Sequence, residues 1–314
     1  MSDRDGAHEV WFPPDPRPRP VVDVVITTRN RSAFLRQAIE SVLAQTPGDF
    51  EIRITVVDDG SSDDTTDVLR TYPVHTVVHS AGLGIVGARN LGVRSSDGDF
   101  VQLLDDDDLL TPDSIATRMA VFERHPEYGA VHGTAQMTDM DLNPVGEPVP
   151  AGERASGWIL EDLLTYFPQI GTVLTRREVL TELGGFLVHL EGDDEWDVFL
   201  RTARRWEIGR ISEPAMLFRQ RVGVPEEAQQ WTRSRGNIDA FRMNTRHLPL
   251  RDRVRLRPIL WRLRGWHSSV FVRYAVMNVR ARRWRRAARS LSYAIRWSPL
   301  HTPLNVVRLA RVRE

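Results

Sequence analysis

Two rhythms of apolar and polar positions alternate over residues 21–131. Residues 21–27 (VVDVVIT) are a β-branched, nearly continuous apolar run, the pattern of a buried strand. Over residues 32–45 the apolar positions shift to helical spacing. Phe34, Leu35, Ala38, Ile39, Val42 and Leu43 share a face there, and Ser32 is placed to cap the first turn. Residues 52–57 repeat the strand pattern, and Asp63 or Asp64 opens a second helix. Residues 74–78 are a third strand and residues 87–94 a third helix. Asp97, Gly98 and Asp99 make a turn before a fourth strand over residues 100–104. Strands alternating with helices predict a parallel sheet covered on both faces. Ligands of such sheets bind at the carboxyl ends of the strands.

Beyond Gly129 the rhythm weakens. Residues 130–137 and 172–175 read as strands, 142–154 as a Pro/Gly-rich loop, 197–206 as a helix, and 208–211 and 215–218 as two short strands. From residue 226 the chain reads as helical, with Trp261, Trp266, Phe271, Tyr274, Trp284, Tyr293 and Trp297 among arginines. The expected division is a flexible Pro-rich arm over 1–20, an α/β domain over 21–224 with halves at 21–131 and 132–224, and a basic, aromatic helical region over 225–314.

Charge sharpens that division. The 314-residue chain has zero net charge, yet every basic residue is Arg, and from Arg251 onward seventeen arginines face two acids, Asp252 and Glu314. Residues 1–250 carry the matching acidic excess. An acidic body with a basic appendage is expected to meet an anionic surface. The appendage could pack as a bundle on the body, rest on anionic lipid, or bind nucleic acid; no nucleic-acid motif accompanies the arginines, so no nucleic-acid partner is expected. Cysteine is absent, which excludes a disulfide framework and thiolate metal sites. No apolar run reaches spanning length and the N-terminus has no apolar core of a signal peptide. A cytoplasmic protein, peripheral at the inner membrane face, is the expectation.

The candidate chemistry gathers at the expected strand ends. Asp105, Asp106, Asp107 and Asp108 stand side by side in FVQLLDDDDLL, where the fourth strand ends. Adjacent carboxylates repel one another unless a cation neutralises them, and hard oxygen ligands suit Mg²⁺ or Mn²⁺ holding a phosphate-bearing substrate. The plain alternative is a solvated acidic turn. Thr27 to Arg31 (TTRNR) follows the first strand, Val57 to Asp63 (VDDGSSD) the second, and Gly84 to Asn90 (GIVGARN) opens the third helix. Four polar motifs at the ends of one sheet converge on one crevice.

With these motifs the chain resembles the family-two glycosyltransferases of the GT-A fold over roughly residues 21–221. VVITTRNR, VVDDGSSDDT, GARNLG, LLDDDDLL and the GGF…DDEWDVFLR stretch occur in that family's order. The resemblance implies a Rossmann-like, mostly parallel α/β sheet and an inverting, metal-dependent transfer from a nucleoside-diphosphate sugar, UDP by default with dTDP or GDP as alternatives. It implies that Thr27 and Arg29 border the base, that Asp59 or Asp58 accepts its imide N–H, and that Arg89 lies near base and ribose. In the Asp-x-Asp pattern, Asp105 would touch the ribose and Asp107 would ligate the metal; Asp106 is the variable middle position, counted with the donor-contacting residues, and Asp108 an extra acid able to cap the next helix.

On the acceptor side the family's catalytic Asp falls on Glu195 when aligned on Trp196 and Asp197, with Asp194 in the family's Glu position. The base is therefore Glu195 by alignment or Asp194 by residue type. Asp193 is expected to cap the helix, and Asp197 and Asn90 to be structural. Phe218–Arg219–Gln220–Arg221 departs from the family's Tyr-Arg-x-His, leaving Arg221 to pair with phosphate oxygens or to lie on the surface. The Gln-x-x-Arg-Trp of processive relatives is absent, so transfer of a single sugar to a small-molecule, glycan or lipid-linked acceptor is expected. The alternatives are a nucleotidyltransferase, which would want a Gly-rich loop where TTRNR has no glycine, and a catalytically inactive sugar-nucleotide or surface-binding module.

Overall fold

The computed structural model describes residues 18–152, 154–190, 192–220 and 227–311. Strand β1 (Val21–Thr28) is buried along its whole length, as its apolar run requires. Helix α1 (Ser32–Leu43) follows, burying Leu35, Ala38, Ile39 and Val42. Ser32 is the first helical residue and not the cap: its own N–H donates to Asp63 Oδ2 at 3.1 Å, so the cap comes from a neighbouring loop. Strand β2 (Glu51–Asp58), helix α2 (Thr65–Leu69), strand β3 (Thr76–His79), helix α3 (Gly84–Ser95) and strand β4 (Phe100–Asp105) complete the regular half. Strands β3, β2, β1 and β4 lie side by side in that order and all run parallel.

The second half continues the same sheet. Strand β5 (Leu109–Leu110), helix α4 (Ser114–Arg124), strand β6 (Tyr128–Thr138), helix α5 (Leu160–Leu163), strand β7 (Val173–Arg176), helix α6 (Arg177–Glu182), helix α7 (Asp194–Ala203) and strand β8 (Glu207–Arg219) extend it to eight strands, ordered β3-β2-β1-β4-β7-β6-β8-β5. Strand β7 runs antiparallel to β4 and β6, and β5 antiparallel to β8, so the outer half is mixed. The two short strands expected over 208–218 are one: β8 pairs with β6 from Glu207 to Arg210 and again from Pro214 to Arg219, with register shifts between His132 and Ala135. Pro214 has no N–H to give the ladder, so Ser212–Glu213–Pro214 looks like a break while the pairing passes through as a bulge.

Successive residues of β1 feed opposite faces. Val24 and Ile26 pack with Leu35, Ile39, Ile54, Leu104, Ile115 and Leu174 on one side. Val25 packs with Val57, Val86, Leu103, Trp196 and Phe199 on the other. Helix α8 (Glu227–Thr245) adds Ala240 and Phe241 to that second face. Helices α9 (Leu250–Arg255), α10 (Arg257–Arg280), α11 (Trp284–Trp297) and α12 (His301–Arg311) follow. Ile238, Phe271, Val272, Tyr274, Ala294 and Trp297 form a separate core there, with Trp231 stacked on Tyr293 at 4.3 Å between ring centroids. Among the described residues no helix is long and apolar enough to cross a membrane.

Helix α3 sits unusually close to the sheet at Gly92. A Cβ there would lie 2.2 Å from Val25 Cγ1 and 3.1 Å from Val57 Cγ2. Gly92→Ala should therefore overpack the core by about 1–3 kcal/mol, outweighing the roughly 1 kcal/mol that alanine gains in a helix. Denaturant unfolding checks this: the midpoint should fall, and a rise would show that α3 can lift off the sheet without loss.

Candidate active site

Parallel pairing in register brings the strand ends together. Thr27 lies opposite both Val57 and Asp105, so β1, β2 and β4 finish along one edge. The backbone turns sharply after β2, with Gly60 at φ +84°. Asp58 and Asp59 are both buried at this turn. Asp59 accepts the N–H groups of Leu83 (2.7 Å) and Gly84 (2.9 Å) and the Ser80 hydroxyl, so it caps α3. That cap explains why α3 begins three residues earlier than the apolar spacing suggests. Asp58 accepts the Ser61 N–H at 2.9 Å and faces His79 Nδ1 at 3.3 Å. Thr27 Oγ1 is buried without a hydrogen-bond partner among the described residues. Arg29 is exposed, with its guanidinium beside Gly82.

The four adjacent aspartates divide into two settings. Oxygens of Asp105, Asp107 and Asp108 lie within 4.8 Å of one another. Asp106 is outside that cluster: it accepts Thr28 Oγ1 and Arg31 Nη1, each at 2.8 Å. Asp108 is not a helix cap, because it accepts the Arg219 N–H at 3.0 Å and thereby ties the turn to β8, while α4 starts later at Ser114. Burial, with Asp105 and Asp107 adding repulsion, pushes the Asp108 carboxyl up to about 9. Burial raises Asp106 to about 6 against the pull of Arg31. Three converging carboxylates, one of which prefers a proton at neutral pH, fit a divalent cation with hard oxygen ligands.

On the facing side, the first turn of α7 carries Asp194, Glu195 and Asp197. It starts at Asp194, earlier than expected, with acids where a helix N-terminus favours them. Asp193 precedes it without a side-chain cap and accepts instead from Asn237 of α8. Asp197 is structural, held by Arg201 at 2.7 Å and Asn244 at 2.9 Å. Asn90 is structural too, exchanging two hydrogen bonds of 2.8 and 2.9 Å with the Phe186 backbone.

Arg89 joins the two sides. Expected beside base and ribose, it is buried with its guanidinium among three carboxylates: Asp105 at 2.9 Å, Glu195 at 2.8 Å and Asp194 at 3.0 Å. Glu195 also accepts the Ile170 N–H at 3.1 Å. Burial pushes Glu195 up to about 7; Arg89 opposes the rise, and Asp105 and Asp194 add to it. The two candidate bases differ in access, since the Glu195 side chain is 16% exposed and that of Asp194 1%.

Arg221 lies outside the described residues. Two residues before it, Arg219 donates to the Asp107 carbonyl at 2.8 Å, pairs with Gln37 and covers the Phe34 ring at 5.2 Å. Arg31 and Arg219 both brace the aspartate turn, and sequence reasoning gives neither a role. Their one signal is position, each two residues from an arginine that does receive one.

Residues 23–184 match the family model described as Glycosyl transferase family 2. That span holds all four strand-end motifs. The chain belongs to glycosyl transferase family 2. It is 25% identical over 184 residues to an uncharacterised glycosyltransferase of Haemophilus influenzae, covering 58% of this chain and 61% of that protein. It is 31% identical over 204 residues to the uncharacterised glycosyltransferase YwdF of Bacillus subtilis, covering 63% and 73% respectively. Among solved structures, S. aureus TarS 1–349 in complex with UDP-GlcNAc superposes with a TM-score of 0.57 at 15% identity, over 86% of this chain and 90% of that one. The mannosyltransferase PcManGT of Pyrobaculum calidifontis, in complex with GDP-Man and Mn²⁺, gives 0.57 at 20% identity, over 92% and 90%. The chain thus has the GT-A fold with added C-terminal helices.

Removing Arg89 should expose how much the site depends on it. Arg89→Met would leave three carboxylates facing one another without their cation, at a cost of about 3–5 kcal/mol at neutral pH. The loss should shrink on acidification, because protonating Glu195 removes part of the repulsion. Thermal unfolding at pH 5 and pH 8 reads this; equal losses at both would mean that charge is not what Arg89 balances.

Proposed function

We propose that this chain is a glycosyltransferase that moves one sugar from a nucleoside-diphosphate sugar to an acceptor hydroxyl, with inversion and with Mg²⁺ or Mn²⁺. The observation that carries the reading is Arg89 Nη2 contacting Asp105 and Glu195 at once, which sets a basic carboxylate beside the candidate metal ligands. UDP is the proposed nucleotide. The UDP-GlcNAc and GDP-Man–Mn²⁺ complexes of the two structural neighbours support a nucleotide-sugar donor and a divalent ion.

Asp107, with Asp105 and Asp108, would hold the ion, which when bound supplies Lewis-acid neutralisation of the departing diphosphate. Thr27, with its unpartnered hydroxyl, and Arg29, Asp58 and Asp59 would border the base, and Arg221 the phosphates. Glu195 takes the proton of the acceptor hydroxyl as its oxygen attacks the anomeric carbon in line. Its greater access favours it over Asp194. Ile170 N–H and Arg89 fix the two oxygens of Glu195, so the base is aimed before the acceptor arrives. Arg31 holds Asp106 in the fold and reaches Asp107 at 3.4 Å, the Arg219 N–H holds Asp108, and Asp105 is shared with Arg89. The acceptor is a hydroxyl on a small molecule, glycan or lipid-linked carrier, reached in the cytoplasm or at the inner membrane face.

Calorimetry of UDP, dTDP and GDP with Mn²⁺ and with EDTA tests the donor half. One nucleotide should bind with metal, lose affinity on chelation, and lose it again in Asp107→Ala. Metal-independent binding by that variant at parental strength would sink the assignment of Asp107.

Nucleotide release from the matching sugar donor tests the base. As Glu195 works as a carboxylate, kcat/KM should climb as pH rises through about 7. Glu195→Gln should lose about a hundredfold or more together with that limb. A limb that survives in Glu195→Gln and disappears in Asp194→Asn would hand the role to Asp194.

A further inference from the structure

Helix α11 has three faces, not two. Ala287, Ser290, Ala294 and Trp297 are buried against the rest of the bundle. Trp284, Ala288, Leu291 and Ile295 form a second stripe at helical spacing, and it is exposed: Trp284 is 65% accessible and Ile295 47%. Arg285, Arg289 and Arg296 line the adjoining sector, also exposed. A helix packed on a globular body ordinarily keeps its solvent half polar.

Helix α12 departs further from that rule, for it buries polar residues and exposes apolar ones. Thr302 is buried against Ser268, with hydroxyls 3.0 Å apart, and Asn305 donates to the Gly265 carbonyl at 3.3 Å. Leu300, Leu304 and Val307, at spacings of four and three, are 73%, 58% and 50% exposed. Exposed apolar stripes on two successive helices mark an interaction surface and not an ordinary protein exterior.

We propose that the outer face of α11 and α12 docks on an anionic lipid bilayer, apolar stripe inserted and arginines at the phosphates. Charge identifies the occupant. Seventeen arginines and two acids occupy the chain from Arg251 onward, so a second copy offering the same face would bring like charge to like. A nucleic acid would use the arginines and leave Leu291, Ile295 and Leu304 in water. A bilayer interface takes both: apolar side chains enter the acyl boundary while arginines reach up to the headgroups along their own methylene stems. The surface deepens the proposed function, and rests on it in presenting a bilayer-borne acceptor to the site; docking itself requires no catalysis.

The test is flotation of the full chain with vesicles of phosphatidylcholine alone or enriched in phosphatidylglycerol, beside calorimetric binding of the donor nucleotide. The chain should float with the anionic vesicles, stay behind with the neutral ones, and release as salt is raised. Leu291→Glu, Ile295→Glu and Leu304→Glu together should lower the bound fraction about tenfold while nucleotide affinity is unchanged. Should that variant fail to fold, Ile295→Glu alone, with the parental unfolding midpoint, carries the same comparison. Binding that the apolar-to-Glu changes leave intact would overturn the proposal. So would a failure to float, or self-association or oligonucleotide binding that disappears with these substitutions. Vesicle binding in a chain that takes up no nucleotide would support the surface and count against the glycosyltransferase mechanism, so the two readings fail separately.

Discussion

The site depends on one guanidinium. Arg89 is enclosed with Asp105, Asp194 and Glu195, so one fixed positive charge faces three groups that can each be negative. A buried set of that composition is underneutralised, and charge buried without a partner costs several kcal/mol. Two responses are open to the fold. A proton can stay on a carboxyl, which is the direction in which Glu195 is pushed. A second cation can enter beside Asp105, where Asp107 and Asp108 already converge. The excess of carboxylates over the one guanidinium therefore favours either a proton on Glu195 or a further cation beside Asp105.

The position of Arg89 is over-determined. Gly92, one turn further along α3, lets the helix backbone lie against Val25 and Val57. Asn90, its neighbour, clamps the Phe186 backbone with two hydrogen bonds, and Gly185 passes so close that a Cβ would meet Asn90 Oδ1 at 2.4 Å. The GARN segment thus joins the half that ends strands at the crevice to the half that delivers α7. The aspartate turn is held from both sides: Asp106 is drawn to β1 by Thr28 and Arg31, and Asp108 is tied to β8 by the Arg219 backbone while its carboxylate stays near those of Asp105 and Asp107.

Much of this arrangement is legible in the amino-acid sequence. The β-branched runs locate β1, β2 and β4, and parallel pairing then forces their polar ends onto one edge. The features that local pattern hides are those set by tertiary partners. Ser32 and Asp193 have the composition of caps, yet Asp63 caps one helix from another loop and Asp193 turns to Asn237. Asp108 reads as a cap and serves β8. Arg89 carries no local mark of burial, since nothing in GARN reveals that acids a hundred residues away will close over it. The direction of β7 and the continuity of β8 depend on pairing across the sheet, which a local pattern does not encode.

The helical region shows the same limit from the other side. Helix α12 leaves its apolar residues outside, and the fold buries Thr302 and Asn305 beside Ser268 and Gly265. Local preference is outvoted by close, hydrogen-bonded packing on a small-residue stretch of α10. The apolar residues left outside lie in the arginine-rich segment, so their exposure and the charge asymmetry occur together. A chain with zero net charge but separated signs is not neutral within a Debye length of about 10 Å. Beside an anionic surface the acidic body is repelled while the helical end is attracted, which orients the molecule before any side chain makes contact. Orientation by charge and retention by apolar insertion are different tasks, and adjoining stripes of α11 supply one residue type for each.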